Sequence, residues 1–156
     1  LPGPEYTRRP AGGIGKSIVN VGYRSTNFWV VSTGRSRFLV DLGWPGMFGA
    51  LEAKWMKPGM HYTEITPGDN TVIPLAEGRA LLRTLGIDGE FVHTPGHSDD
   101  SVSLVLDDGA AFTGDLTWPT LAGEGEIAVV TRSWELLRSK GAKQVYAGHG
   151  PIRGMP

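Results

Sequence analysis

The sequence predicts a layered α+β domain, and three observations carry that prediction. Short runs rich in β-branched and aromatic residues alternate with glycine- and aspartate-bearing turns through most of the chain. One stretch, residues 124–139, instead repeats its apolar residues at helical spacing. The 23 glycines and 11 prolines exceed ordinary usage and call for many turns. With 156 residues the chain is long enough for one domain with a real core.

Residues 1–16 read as an irregular basic arm, since LPGP and RPAGG offer turns without periodicity. Residues 17–156 form the single domain. SIVNVGY and NFWVV are strand sequences, and the polar STGRSR then leads into FLVDLG, which closes a hairpin. Asp41 ends that third strand. MFGALEAKWM supports a short helix stopped by Lys57-Pro58-Gly59, and HYTEIT a short extended piece. Residues 71–75, TVIPL, are expected to form a strand whose proline is tolerated at an edge. GRALLRTLG reads as a short helix or an irregular turn.

From Glu90 onward the pattern is plainer. EFVHT, SVSLVL and AAFTG read as strands, joined by PGHSDD and DDGA turns. Ile127, Val130, Trp134 and Leu137 then make one face of an amphipathic helix. Glu124 and Glu126 near its start and Arg138 and Lys140 near its end suit the helix dipole. Gly141 stops it, and KQVYAGHG supplies a closing strand and loop. Trp118 and Trp134 are expected to be structural.

Composition excludes several functions. Without cysteine there is no disulfide scaffold, no thiolate zinc ligation and no cysteine nucleophile. No apolar run approaches the ~20 residues of a membrane span, and the polar N-terminus carries no signal-peptide pattern, so a cytoplasmic location is expected. Residues 1–40 hold six Lys/Arg against one acid, a basic bias too poor in aromatic residues to indicate nucleic-acid binding. AGGIGKS at 11–17 approximates a phosphate loop, but no buried strand precedes it and SIVNV after it reads as β. No G-x-S-x-G or S-x-x-K element supports serine chemistry.

The chemistry-bearing residues are His97, Asp115 and His149, in TPGHS, FTGD and YAGHG. Each stands where a strand gives way to a tight turn, the layout of metal ligands gathered at one sheet edge. Imidazole and carboxylate suit a borderline divalent ion such as zinc. Gly96, Gly114, Gly148 and Gly150 beside them allow sharp turns and close backbone approach. Asp115 or a neighbour would be the proton relay in any hydrolysis. A lone Gly-His in a turn is more often surface loop than ligand, so the pattern rests on the three together.

TPGHSDDSVSLVLDDGAAFTGDL followed by VYAGHGP resembles the C-terminal half of the metallo-beta-lactamase fold superfamily, and NFWVVSTGRSRFLVDLG resembles its opening strands. The resemblance covers residues 17–49 and 70–153. It implies metallo-beta-lactamase-like layered sheets and helices, and a metal-dependent hydrolase. By it His97 binds a first metal, Asp115 bridges two, and His149 binds the second, with one or two zinc ions as cofactor. Asp41 becomes a buried organiser of the ligand loops.

The chain departs from that pattern in one place. The superfamily's H-x-H-x-D-H motif does not occur; the sequence runs from MFGALEA directly into KWMKPGMHYTEITPGDN, which resembles family sequence from beyond the motif. A deletion seam is therefore expected near residues 53–55, leaving the fold truncated in the middle. His61, just past it, is a candidate substitute ligand. Trp44, Met47, Trp55 and Met60 around the seam could cover exposed sheet or form a dimer contact.

Two readings stay open. The first is a metal-dependent hydrolase of an ester, lactone, thioester, lactam or phosphodiester, with a small-molecule substrate. The second is a catalytically impaired or non-catalytic remnant of the fold, acting as a structural or homo-oligomerising domain.

Overall fold

The computed structural model describes residues 15–20, 26–33, 36–40 and 73–156. Asp41, His61, the seam and the tryptophans and methionines around it lie outside the described residues.

Two sheets carry the fold. The first is an antiparallel meander of β1 (Lys16–Asn20), β2 (Trp29–Thr33) and β3 (Ser36–Val40). The second has five strands in sequence order: β4 (Gly89–His93), β5 (Val102–Leu106), β6 (Ala110–Gly114), β7 (Gln144–Ala147) and β8 (Arg153–Gly154). Its pairings are antiparallel except β6 with β7. That parallel pair is joined by a crossover that contains helix α2 (Ile127–Ser139), while the shorter α1 (Gly78–Thr84) precedes β4.

The second sheet is buried on both faces, which explains why LVL and AAF are continuous apolar runs rather than alternating ones. Val105, Ala111 and Val145 pack with Val130, Trp134 and Leu137 of α2. Leu104, Leu106 and Phe112 turn the other way, toward Trp29 and Val31 of the first sheet and Leu82 of α1. Trp29, Phe112 and Tyr146 lock that second layer, Tyr146 stacking on Phe112 at 4.9 Å and meeting Trp29 edge-on at 5.1 Å. Each fully buried large side chain contributes about 1.5–3 kcal/mol. These two layers form the core of the described residues.

The helix expected over 124–139 begins at Ile127, with Glu126 as its N-cap. Its buried face is Val130, Trp134 and Leu137, with Ser133; Ile127 is half exposed. Gly141, at φ +85°, follows the helix end as expected. GRALLRTLG is helical, so the short-helix alternative holds.

Residues 71–75 do not form the expected strand where they are described. Ile73 and Pro74 have no regular structure, and Leu75 opens a 3₁₀ turn, Leu75–Glu77, that runs into α1. Pro74 decides this. It lacks the N–H a strand ladder needs, and its carbonyl accepts from the Glu77 amide (2.9 Å) to start the turn. Two further short elements lacked a sequence signal: the 3₁₀ turn Pro119–Leu121 and the strand β8.

Candidate active site

Asp115 and His149 follow the ends of the parallel pair β6 and β7. Near those ends the register slips: Phe112 faces Tyr146, but Gly114 faces Ala147, so β6 carries one extra residue. A bulge of this kind re-aims the residues beyond it. His149 Nε2 lies 3.5 Å from Asp115 Oδ1, and both side chains are open to solvent. A carboxylate and an imidazole thus approach one another where these two strands end.

Gly148 makes that approach possible. A Cβ built there would lie 2.4 Å from Asp115 Oδ1 and 3.2 Å from the Gly114 carbonyl carbon. The two loops are tied across this contact by the Gly148 amide, which donates to the Gly114 carbonyl at 2.7 Å. Glycine is required here for space, whereas Gly96, Gly114 and Gly150 have positive φ.

The His149 loop is also held from the first sheet. Thr26 pairs with His149 in an isolated antiparallel bridge. The Asn27 amide nitrogen donates to the Gly148 carbonyl (2.7 Å), and its side-chain Nδ2 donates to the carbonyls of Ala147 (3.0 Å) and Gly150 (2.8 Å). Trp29 Nε1 donates to the Ala147 carbonyl as well (3.1 Å). Asn27 gave no sign of this in the sequence, where it reads as the first residue of the strand sequence NFWVV.

His97 stands in the loop between β4 and β5, exposed. Its loop is anchored from two sides: Thr117 Oγ1 donates to the Gly96 carbonyl (2.7 Å) and Ser133 Oγ to the Pro95 carbonyl (2.6 Å). Thr117 lies two residues past Asp115, so it couples the His97 loop to the Asp115 loop. His93, exposed on β4, braces the same loop. Its Nε2 sits 2.6 Å from the Asp99 carbonyl, and because a carbonyl only accepts, that nitrogen carries the proton. Ser98 donates to Asp100 (2.7 Å), and that hydrogen bond holds the Asp100 carboxyl below the usual carboxylate range.

Among the described residues no three or more His, Cys, Asp or Glu side chains are grouped so as to hold a metal. The structure therefore brings Asp115 and His149 together, while His97 does not complete a three-ligand group with them. Trp118 and Trp134 are structural, as expected. Their rings stack at 5.0 Å, Arg153 lies over Trp118, and Trp134 Nε1 donates to the Thr117 carbonyl (2.8 Å).

No protein-family model matches the chain. Among individual proteins it is similar to a lactamase-like protein of Pestalotiopsis microspora, 25% identical over 178 residues, which takes in 89% of this chain and 53% of that protein. An atrochrysone carboxyl ACP thioesterase of Aspergillus novofumigatus is 27% identical over the same length and shares. A beta-lactamase-like protein 2 homolog of Drosophila melanogaster is 31% identical over 91 residues, 55% of this chain and 30% of that protein. The chain spans about half the length of the first two relatives.

In structure, the chain matches a metallo-beta-lactamase family protein from Thermus thermophilus with a TM-score of 0.55 at 17% identity, over 90% of this chain and 74% of that one. The two packed sheets with a covering helix are thus an α+β metallo-beta-lactamase-like fold. The lactamase-like names of these relatives agree with that fold, and the chain resembles the metallo-beta-lactamase fold superfamily. Its matched stretch of 178 residues exceeds its whole length of 156, so the relatives carry residues inside that stretch with no counterpart here.

Proposed function

We propose that this chain is a metal-dependent hydrolase domain in which Asp115 and His149 hold a divalent ion such as zinc, and in which His97, not grouped with them in this structure, joins as third donor when the ion draws its loop in. The observation that carries the reading is the 3.5 Å approach of His149 Nε2 to Asp115 Oδ1 at the ends of two parallel strands. A carboxylate and an imidazole with open faces are a fitting donor pair for a borderline ion, and the space left by Gly148 lets the carboxylate sit there. When bound, such an ion supplies Lewis acidity, which makes water a competent nucleophile near neutral pH. Asp115 would also be the group nearest to relay a proton. Asp41 keeps its proposed role as organiser and His61 its role as substitute ligand.

A thioester is the first substrate class to test among esters, lactones, lactams and phosphodiesters, because a relative spanning most of this chain is named as an acyl-carrier-protein thioesterase. A small-molecule acyl thioester is the simplest probe.

A second reading has its own support. The sequence contains no H-x-H, and the relatives carry residues that this chain lacks within the matched stretch. Both favour a remnant of the fold, deleted near residues 53–55, that acts as a structural or homo-oligomerising domain.

Elemental analysis of the purified chain, with its intact mass, separates the two readings. The hydrolase reading expects one or two zinc ions per chain, lost in His97→Ala and His149→Ala, and thioester cleavage that stops with chelation. A chain of the expected mass that carries no metal, and takes up none on titration with zinc, would establish the remnant.

A further inference from the structure

We infer that Asn27 is a positioning residue that sets the His149 loop against Asp115 from the opposite sheet. The inference rests on the reading that His149 is a metal ligand.

His149 belongs to the loop after β7, yet that loop is held largely by a residue more than a hundred positions earlier. Asn27 makes three hydrogen bonds onto it. Its backbone N–H meets the Gly148 carbonyl, and both protons of its side-chain amide are spent on the carbonyls of Ala147 and Gly150. These acceptors bracket His149 on both sides. The Asn27 side-chain oxygen is occupied too, accepting from Asn20 Nδ2 at 2.6 Å. The two carbonyls fix the amide's orientation, because a flipped amide would set an oxygen against both.

The chemistry of this site is specific to asparagine. Aspartate keeps the acceptor for Asn20 but turns an acceptor toward two carbonyls. Alanine leaves both carbonyls without the donor. Glutamine keeps the amide but moves it one methylene outward.

On the other side of the loop, the Gly148 amide is held by Gly114, which directly precedes Asp115. The loop is therefore fixed between two anchors, one on each sheet, and the separation of the donor pair depends on both. Asn27 orients a ligand without touching the ion, and loss of such outer partners typically weakens metal binding about 10- to 100-fold.

A general loosening between the sheets has to be told apart from loss of positioning. Thr33 provides the control: its Oγ1 donates to the Leu85 carbonyl at 2.8 Å, tying the far end of β2 to the residues after α1. Thr33→Val removes one such tie without approaching the His149 loop.

The experiment is zinc titration by calorimetry, with amide hydrogen exchange of residues 147–150, on wild type, Asn27→Ala, Asn27→Asp, Asn27→Gln and Thr33→Val. The expected result is zinc affinity lowered about 10- to 100-fold in the alanine and aspartate variants. The glutamine variant should lie between, and exchange at the amides of Gly148 to Gly150 should be faster. Thr33→Val should leave both near wild type. If Asn27→Ala does not fold, Asn27→Gln carries the test alone. Zinc affinity in the Asn27 variants within twofold of wild type overturns the inference, as does an equal loss in Thr33→Val. If wild type binds no zinc, the hydrolase reading fails, and exchange decides for Asn27: faster exchange confined to the loop supports the positioning role, and unchanged exchange overturns it.

Discussion

Gly148 and the Asp115 carboxylate compete for one volume: a Cβ at position 148 would stand 2.4 Å from Asp115 Oδ1. A side chain on one strand-end loop therefore excludes the ligand geometry of the other. In Gly148→Ala the half-exposed carboxylate can swing away, but the Gly114 backbone at 3.2 and 3.3 Å must also shift. The variant should lose about 1–3 kcal/mol of stability, the range for overpacking, and should lose zinc binding more completely than stability. Gly114→Ala offers the contrast. Nothing lies within 4 Å of its Cβ position, so its cost is the positive φ of +53° alone, about 1–2 kcal/mol. Urea unfolding with zinc titration on both variants checks the pair.

Thr117→Val should uncouple the His97 loop from the Asp115 loop. The substitution keeps the branched shape and removes only the hydroxyl that donates to the Gly96 carbonyl. A lost hydrogen bond with a part-buried acceptor left behind costs about 1–3 kcal/mol. The Trp134 indole should stay in place, since it bonds the Thr117 backbone carbonyl rather than the side chain. Unchanged tryptophan fluorescence with a lowered unfolding midpoint is the expected result. A red-shifted spectrum would mean that the α2 packing had been disturbed instead.

The second sheet and α2 were legible in the sequence because burial on both sides of β5 and β6 leaves unbroken apolar runs, and because Val130, Trp134 and Leu137 repeat at helical spacing. Their neighbour Ile127 fitted the same period but lies half exposed in the first turn; periodicity identifies a face, and only tertiary packing says where the face ends. TVIPL misled because β-branched residues outnumber the one proline that decides the outcome. In the site, Asp115 and His149 were visible as strand-end residues. Their closeness depends on the bulge between Phe112 and Gly114 and on Asn27, which meets Gly150 across 123 positions. No local pattern encodes either.

The two helix residues give a direct test of that distinction. Leu137→Ala deletes a fully buried side chain between α2 and the second sheet and should cost about 2–5 kcal/mol. Ile127→Ala, at 48% exposure, should cost much less, within about 0.5 kcal/mol if it behaves as a surface site. Chemical denaturation of both variants measures the difference. Equal losses would show that the first turn of α2 is packed in solution.

Acid should weaken the fold at the end of β5. Arg79 Nη1 donates to both oxygens of Asp107, at 3.0 and 2.9 Å, and its Nη2 reaches Glu90, which Lys140 also contacts. The Arg79 hydrogen bonds hold the Asp107 carboxyl below its usual range. A carboxylate depressed in the folded state contributes stability above its unfolded pKa of about 3.9 and loses it as pH falls through the lower folded value. The contribution should therefore be intact at pH 6 and decline from about pH 4 downward. Because Asp107 is half exposed, solvent screening keeps it small, about 0.2–1 kcal/mol. Arg79→Met removes the partner, so its stability should fall less than that of wild type between pH 6 and pH 3. Urea midpoints at the two pH values give the comparison, and parallel losses in the two proteins would place the acid sensitivity elsewhere. Asp108 is a second candidate. Burial opposes its ionisation most strongly, yet the Lys16 side chain and the Ala110 amide together outweigh it and hold the carboxyl low. Lys16→Met would then remove the Asp108 share of the acid-dependent loss; that pair ties β1 to the turn between β5 and β6.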